Sequence, residues 1–197
     1  MKKLPIGLIL MVLVVLPVCV HAGVPLETVE TQVNRVLDVL RDPALKAESA
    51  REAKEKKIEA IAADFFDYNV LSRLTLSRNW KKLNSDQQKE FIELYRQVLQ
   101  KAYMDKILAY TDEKVVFEKE TMLSEKKAEV FTKIVTKSVD IPINYRVFLK
   151  DGTWKVYDVI IEGVSLVKNY RTQFQEILTT QTPEDLLKTL REKVGKA

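Results

Sequence analysis

The chain has 197 residues, of which 32 are Lys or Arg and 28 are Asp or Glu, and its formal net charge at pH 7 is +4. The two signs are interspersed along the sequence, which is typical of a solvated surface and excludes a nucleic-acid-binding stripe of clustered basic residues. With 46% hydrophobic residues, the length suits one domain with its own core.

The N-terminus has the three parts of a cleavable secretory signal in order. Met1-Lys2-Lys3 is positively charged, an apolar run occupies 6–20, and Val20-His21-Ala22 has the small residues of a cleavage site. The apolar run is shorter than the ~20 residues needed to cross a bilayer core. We therefore predict a signal peptide over 1–22, cut after Ala22, and a single soluble exported domain over 23–197.

Cleavage would change the chemistry available to the protein. Cys19 is the one cysteine and His21 the one histidine, and both would leave with the signal. Without a thiol or an imidazole, the mature chain has no disulfide, cysteine nucleophile, Ser-His-Asp triad or Cys/His zinc site. This composition favours binding over catalysis, and no cofactor or metal is expected.

An alternative to cleavage after Ala22 is a lipoprotein signal with lipidation at Cys19. Val18 argues against it, because a lipoprotein signal has a small residue at that position.

Apolar residues at helical spacing predict helices throughout the first half of the chain. The first pattern covers 29–40 and ends at Asp42-Pro43. The second covers 46–60 and continues with apolar residues to 66, and a short segment around Leu71 follows. Ser85-Asp86-Gln87-Gln88 has the form of a capping box and predicts the start of the longest helix, which runs to about Tyr110.

From residue 115 the apolar period becomes that of strands. Alternation over 115–117, 128–134, 141–149 and 154–161 predicts four antiparallel strands. Lys150-Asp151-Gly152-Thr153 predicts a tight hairpin turn, because glycine permits a positive φ. In the last strand Asp158 would follow Trp154 and Val156 onto the inward face, so we predict a β-bulge there.

The helical period returns after Gly163, and Thr182-Pro183 predicts the start of a last helix that ends near Gly195. The order of elements therefore predicts an α+β fold. It comprises N-terminal helices, a four-stranded antiparallel curved meander sheet and C-terminal helices, with helices packed on one face of the sheet.

Several stretches resemble one known family. Residues 154–174, WKVYDVIIEGVSLVKNYRTQF, are similar to the signature of the MlaC family, the periplasmic toluene-tolerance or lipid-asymmetry proteins of Gram-negative bacteria. Phe66-Asp67-Tyr68, Leu76-Ser77-Arg78-Asn79-Trp80 and 85–91 are also similar to it, with Tyr68 where the family often has Phe. The resemblance covers nearly the whole mature chain, and the order of elements agrees.

The resemblance implies a periplasmic carrier of glycerophospholipid and not an enzyme. A monomer is the default expectation for a shuttle. Such proteins move lipid between an outer-membrane lipoprotein–porin complex and an inner-membrane ABC transporter, where they dock a ring of MCE-domain subunits. Sheet and helices would enclose an apolar cavity for the acyl chains, with the headgroup near solvent. Within the carrier interpretation, the cargo could instead be another apolar molecule, such as a hopanoid or a fatty acid.

The inward face of the predicted sheet provides the candidate contacts with acyl chains. With residues of the helices and loops that could face it, the candidate lipid-binding residues are Leu99, Tyr103, Val130, Ile134, Ile143, Tyr145, Val147, Trp154, Val156, Val164 and Leu166. Ile141 belongs to the same predicted face. An ordinary packed core would give the same pattern, so periodicity does not distinguish a filled interior from a hollow one.

A second group of residues predicts a pocket rim or a partner-docking surface: Arg78, Tyr157, Asp158, Glu162, Tyr170 and Arg171. The guanidinium of Arg171 suits bidentate contact with a phosphate. The alternative for Arg171 is a structural salt bridge with Asp158 or Glu162.

Two other classes of function stay open at this point. One is a small cone-shaped α+β enzyme with Asp158 as base and Tyr145 or Tyr157 as hydrogen-bond donor, against which the missing histidine argues. The other is a periplasmic adaptor with a filled core and no ligand. Extractable lipid would separate the carrier from the adaptor.

Overall fold

The structure is a computed structural model that describes residues 24–110 and 113–195. The predicted signal peptide, residues 1–22, lies outside the described residues and stays a prediction. Among the described helices, none combines the length and the apolar composition needed to cross a membrane.

The first half of the chain is helical, as predicted. The α-helices are α1 (Pro25–Arg41), α2 (Arg51–Phe65), α3 (Tyr68–Leu76) and α4 (Ser85–Leu108), and short 3₁₀ segments occupy Pro43–Leu45, Glu48–Ala50 and Ser77–Lys82. Helix α1 has Pro25 at its first position and ends where Asp42 precedes a proline. The Asp42 side chain then accepts the backbone N–H of Ala44 and starts the 3₁₀ segment.

The capping box of α4 lies one residue before the predicted one. Asn84 Oδ1 accepts the backbone N–H of Gln87 at 2.9 Å, and Gln87 Oε1 accepts that of Asn84 at 3.1 Å. Gln88, the predicted partner, instead donates to the backbone oxygens of Trp80 and Leu83. The shift has a simple cause, since Asn is as good an N-cap residue as Ser and precedes it.

The second half contains one antiparallel sheet in the order β1-β2-β3-β4-β5. Its strands are β1 (Lys114–Ser124), β2 (Lys127–Val135), β3 (Asp140–Lys150), β4 (Thr153–Ile161) and β5 (Val164–Ser165). The α+β class is confirmed, but the prediction of four strands is wrong. Strand β5 has only two residues, paired with Ile161 and Ile160, and is too short to produce an alternating pattern.

Both local predictions for the β3–β4 hairpin are confirmed. Asp151 and Gly152 have φ of 49° and 78° and form a two-residue turn. Val156 pairs with Val147 while Asp158 pairs with Arg146, so Tyr157 is an extra residue on β4. This bulge turns Asp158 onto the face opposite to Val156.

The C-terminal helices pack on α3 and α4 around a leucine-rich core that includes a cluster of aromatic rings. Helix α5 (Leu166–Thr180) and helix α6 (Pro183–Val194) follow the sheet, and Thr182 with Asp185 caps α6, as predicted near this position. Phe91, Tyr95 and Phe174 are at most 1% exposed, with ring centroids 5.3–5.6 Å apart. We call this cluster of α3–α6 the helical core.

A second cluster lies between the sheet and the N-terminal helices. It joins Val29 of α1 and Phe65 of α2 to one face of the sheet, which we call the inner face and which carries Val130, Val147 and Val156. The fold therefore has two apolar clusters, and the sheet contributes mainly to the second.

Candidate functional site

The inner face consists of cross-strand rows of apolar side chains, because paired residues of neighbouring strands point to the same side. Its rows are Ala128–Val147–Val156, Val130–Tyr145–Val159, Thr132–Ile143–Ile161 and Ile134–Ile141. Thr132 is the polar exception, and its hydroxyl is satisfied because it donates to the Ile143 carbonyl at 2.5 Å. These rows present a nearly continuous apolar surface.

One end of the inner face is fully packed. Ala128, Val130, Val147 and Val156 are each 0% exposed, beneath Val29 of α1, which is also 0% exposed. Phe65 and Trp154 complete this closed end at 5% exposure each. In this part the inner face is an ordinary core.

The other end of the inner face is only half-covered. Phe117, Ile143, Tyr145 and Ile161 pack on the cluster but stay partly exposed. Beyond them, Val139 of the β2–β3 connection is 58% exposed and Val164 of β5 is 56% exposed. We call this the open end. Along β2, β3 and β4 the apolar side chains are thus more accessible toward the open end than at the closed end.

Tyr145 lies where the two ends meet. Burial raises the pKa of the Tyr145 hydroxyl to about 12, and its ring centroid lies 6.0 Å from that of Phe65. Part of the side chain is nevertheless accessible. Tyr145 is therefore less completely covered than the valines of the closed end.

Trp154 brings an unsatisfied donor into the closed end. Its indole Nε1 is buried and has no hydrogen-bond acceptor among the described residues. An unpaired buried donor costs about 1–3 kcal/mol. An oxygen of a bound molecule that reached this N–H would remove that cost.

The predicted lipid-binding residues fall into three places. Val130, Ile134, Ile143, Tyr145, Val147, Trp154 and Val156 share the inner face, and Val164 extends it at the sheet edge. Leu166 belongs to the same cluster, and Tyr103 of α4 contacts both clusters. Leu99 is in the helical core.

Sequence reasoning missed several residues of the inner face. Val159 and Ile161 reach it because the bulge reverses the alternation after Tyr157; the predicted bulge was the signal that could have identified them. Val29, Phe65 and Phe117 also join the cluster. The periodicity of a helix does not indicate which sheet face the helix covers. No feature of the sequence therefore placed Val29 and Phe65 on the inner face.

Asp158 is the most buried member of the predicted rim, at 3% exposure. Its carboxylate accepts the Ser165 hydroxyl at 2.6 Å and the backbone N–H of Val167 at 3.0 Å. Arg146 Nη1 lies 3.7 Å from the same carboxylate. Asp158 therefore holds the start of α5 and lies on the sheet face opposite to Tyr145, so the form of the enzyme alternative that pairs Asp158 with Tyr145 is contradicted.

The other predicted rim residues do not form one cluster. Tyr170 is in the helical core with its ring 5.2 Å from that of Tyr95, and Tyr157 packs on Phe148 at 6.1 Å. Glu162 occupies the exposed β4–β5 turn with φ of 49°.

Arg78 is exposed, and Arg171 donates twice to the Leu74 carbonyl, at 3.1 and 2.6 Å. The acceptor of Arg171 is thus a backbone oxygen and neither of the two predicted carboxylates.

The rest of the described surface offers little chemistry. No group of three or more His, Cys, Asp or Glu residues in the described ranges could hold a metal ion. Two clefts, of about 420 and 320 Å³, lie at the end of α1 around Pro43 and between α2, α4 and α6 around Met104. Neither borders the inner face.

Comparison with known proteins adds to this geometry. Residues 30–192 match the family model described as MlaC protein. The chain is 23% identical over 173 residues to the toluene tolerance protein ttg2D of Pseudomonas putida, covering 87% of this chain and 80% of that protein. It is also 23% identical over 122 residues to the intermembrane phospholipid transport system binding protein MlaC of Haemophilus influenzae, covering 59% and 57% of the two chains.

Among solved structures, the fold matches that of a phospholipid-binding protein from Ralstonia solanacearum, solved in complex with a phospholipid. The TM-score is 0.77 and the identity 21%, with 88% of this chain and 98% of that chain covered. The two proteins share a fold.

Proposed function

The chain belongs to the MlaC family, and from this membership we propose that it is a periplasmic phospholipid carrier that holds acyl chains against the inner face of its sheet. The observation that carries the proposal is the apolar inner face, which is packed at one end and half-covered at the other. An apolar surface that begins at solvent and continues into the interior suits a long hydrocarbon chain.

The energetics suit a shuttle. Each buried CH₂ contributes about 0.8 kcal/mol, so two chains of about sixteen carbons gain on the order of 25 kcal/mol relative to water. A bilayer offers nearly the same gain. Carrier and membrane are therefore close to balanced for the acyl chains, and docking to a partner can shift the balance either way.

The named relatives support phospholipid as the cargo. One is a phospholipid transport system binding protein, and the structural relative was solved with a phospholipid. We propose the same cargo here. We further propose that the protein is a monomer that travels between an outer-membrane lipoprotein–porin complex and the MCE-domain ring of an inner-membrane ABC transporter.

Within the inner face, the graded burial suggests different roles. We propose that Ile134, Ile143 and Tyr145, together with Tyr103, which packs against the same cluster, contact the acyl chains, because they are partly accessible and largely apolar. Val130, Val147 and Val156 would form the floor of the site, since they are completely covered. The unpaired indole N–H of Trp154 would then meet a lipid oxygen only if the chains displaced part of the closed end.

Extraction of bound lipid tests this function. The full chain is expressed with its own signal in a Gram-negative host, purified from the periplasm without detergent, and its organic extract is analysed by mass spectrometry. An unrelated periplasmic protein prepared in the same way is the control. We expect near-stoichiometric phospholipid in the extract.

The other outcomes each have a distinct meaning. Fatty acid or a hopanoid in the extract would keep a carrier and change its cargo. A lipid-free protein that also takes no phospholipid from vesicles would contradict the proposal and favour a ligand-free adaptor.

A further inference from the structure

The fold collects positive charge where α3 and the 3₁₀ segment after it pack on α5. These elements contribute Arg73, Arg78, Lys81, Lys82, Lys168 and Arg171, which we call the basic surface. Five of the six are exposed, and Arg171 is half-buried. Its guanidinium joins the two helices directly by donating to the Leu74 carbonyl.

The charge of this surface is not compensated locally. Residues 68–85 and 163–175 contain no Asp or Glu, although the chain has 28 such residues. Across the described ranges, no ion pair with a carboxylate involves any of the six cations. By contrast, Arg96, Arg146 and Arg191 are each paired with a carboxylate.

The composition of the basic surface fits a lipid headgroup layer better than a protein partner. Its one large apolar side chain with substantial exposure is Leu74, at 37%. The centres of protein interfaces are enriched in aromatic residues and depleted of Lys, whereas half of these cations are lysines. Clusters of four to eight Lys and Arg without an apolar centre are typical of surfaces that bind anionic lipid.

The basic surface also lies close to the open end of the inner face. Lys168 is in the first turn of α5, directly after β5. Val164 of β5 is 56% exposed and belongs to the inner-face row of Ile143 and Ile161. A flat anionic layer in contact with Lys168 would therefore lie beside the open end.

We propose that the basic surface docks the protein on an anionic phospholipid bilayer, with the open end of the inner face beside the headgroups. The biological purpose of this docking, lipid exchange with the bilayer, rests on the proposed carrier function. The docking itself needs only the charges. Because the cations are exposed, their attraction is screened over about 8 Å at physiological ionic strength and weakens in salt.

Vesicle sedimentation tests the docking. The mature full-length protein is mixed with vesicles of one third phosphatidylglycerol and two thirds phosphatidylcholine, and with vesicles of phosphatidylcholine alone. The test variant is the double substitution Arg73→Glu and Lys81→Glu. The matched control is Lys46→Glu and Lys188→Glu, which changes the net charge equally at exposed sites outside the basic surface.

Each cation near an anionic membrane surface strengthens binding about fivefold, so removing two should weaken it about 25-fold and reversing them somewhat more. We expect the test variant to lose at least this much binding to phosphatidylglycerol vesicles, while the control loses much less. Wild-type binding should weaken in high salt and be absent with phosphatidylcholine alone. Both variants should keep the lipid content of the wild type.

Several results would overturn the proposal. Equal losses in both double variants would mean that only net charge matters, and equal binding to both kinds of vesicle would exclude a role for anionic headgroups. A wild-type protein that contains phospholipid but does not sediment with vesicles would leave the carrier intact and assign the basic surface to an acidic protein partner. Docking by a protein that contains no lipid and takes up none from the vesicles would contradict the carrier proposal alone.

Discussion

A single carboxylate, that of Asp67, connects α3 to the sheet. Its Oδ1 accepts the backbone N–H of Val70 at 2.9 Å and caps α3, and its Oδ2 accepts Lys150 Nζ at 2.6 Å. Its backbone N–H donates to the Val156 carbonyl at 2.9 Å. Burial raises the pKa of Asp67, but the hydrogen bonds from Lys150 and the backbone outweigh burial, so the pKa lies below the ordinary value of 3.8.

Replacing Asp67 by Asn should destabilise the protein at neutral pH. The substitution removes the charge-assisted bond to Lys150 and weakens the helix cap, which together cost about 1–3 kcal/mol. Because the folded pKa is lowered, this stabilisation is complete above the unfolded pKa near 4 and is lost as the pH falls through the folded pKa. Urea unfolding should therefore show a higher free energy of unfolding for the wild type than for Asp67→Asn at pH 7, and a smaller difference between the two at pH 3.

Asp64→Asn is the control for this pH dependence. Asp64 is three residues away, and its side chain is 67% exposed and paired with Arg35 at 3.5 Å. An exposed pair of this kind contributes little to stability. An advantage of the wild type over Asp67→Asn that stays constant between pH 7 and pH 3 would contradict the assigned role of the carboxylate.

Ile143→Asp should abolish lipid binding if acyl chains contact the open end. Ile143 is half-buried on the inner face, and a carboxylate there would have to be desolvated by a bound chain. Val116→Asp is the matched control, because Val116 of β1 is also half-buried but pairs with Lys133, on the opposite face of the same sheet. Lipid in the extracts is measured by mass spectrometry, and circular dichroism verifies folding. Equal lipid content in the two folded variants would exclude Ile143 from the binding site.

Among the elements, α5 depends most on a residue outside itself. Ser165 is its N-cap residue and accepts the backbone N–H of Lys168 at 3.1 Å. The carboxylate of Asp158 on β4 accepts a hydrogen bond from the backbone N–H of Val167, the neighbouring free N–H of the first turn. It also accepts a hydrogen bond from the Ser165 hydroxyl. The first turn of α5 is thus fixed to the sheet by the side chains of Ser165 and Asp158, which are also hydrogen-bonded to each other.

Asp158→Ala should therefore cost more stability than Ser165→Ala. Losing an N-cap residue costs about 1 kcal/mol. Losing Asp158 leaves two donors without their acceptor and removes a negative charge near Arg146, for which about 2–4 kcal/mol is expected. Urea denaturation of both variants at pH 7 measures the difference. Equal costs would mean that the carboxylate adds nothing beyond the ordinary cap.

The elements also mark the limit of what the sequence could predict. The shared face of Val130, Val147 and Val156 was predictable, because side-chain alternation is a local property of a strand. The bulge before Asp158 was predictable for the same reason, since it repairs a visible break in the alternation. Strand β5 was not, because two residues carry no period.

Properties that depend on distant parts of the chain could not be predicted in this way. Which helix covers the inner face, and how completely it fills the closed end, depends on tertiary packing. The basic surface is a second example, since Arg73 and Arg171 are separated by almost half of the chain. The two stretches without Asp or Glu, 68–85 and 163–175, are visible in the sequence, but only the packing of α3 on α5 joins their cations into one surface.

At the scale of the whole molecule, the two apolar clusters are nearly separate. The helical core contains α3–α6, while α1 contributes only to the inner-face cluster, through Val29 and its half-buried neighbours. Among the described residues, Phe66 and Tyr103 pack against both clusters. Helix α1 is further tied by the Leu26 backbone N–H to Glu120 Oε2 at 2.7 Å. Its displacement would uncover the closed end without disturbing the helical core.

This separation predicts that lipid release and global stability respond to different substitutions. Val29→Ala weakens the packing of α1 on the inner face, and Leu187→Ala removes a 0%-exposed side chain of the helical core. Leu187→Ala should cost about 2–5 kcal/mol of stability and Val29→Ala less, since fewer carbon atoms are lost.

If acyl chains enter and leave by displacing α1, the rates of lipid release should follow the opposite order. Val29→Ala should then release lipid to acceptor vesicles faster than the wild type, and Leu187→Ala should release it at the wild-type rate. Transfer of a fluorescent phospholipid, measured well below the melting temperature of each variant, gives the rates. Release rates that follow global stability across the two variants would mean that lipid escapes through general unfolding, and the movement of α1 would lose its role.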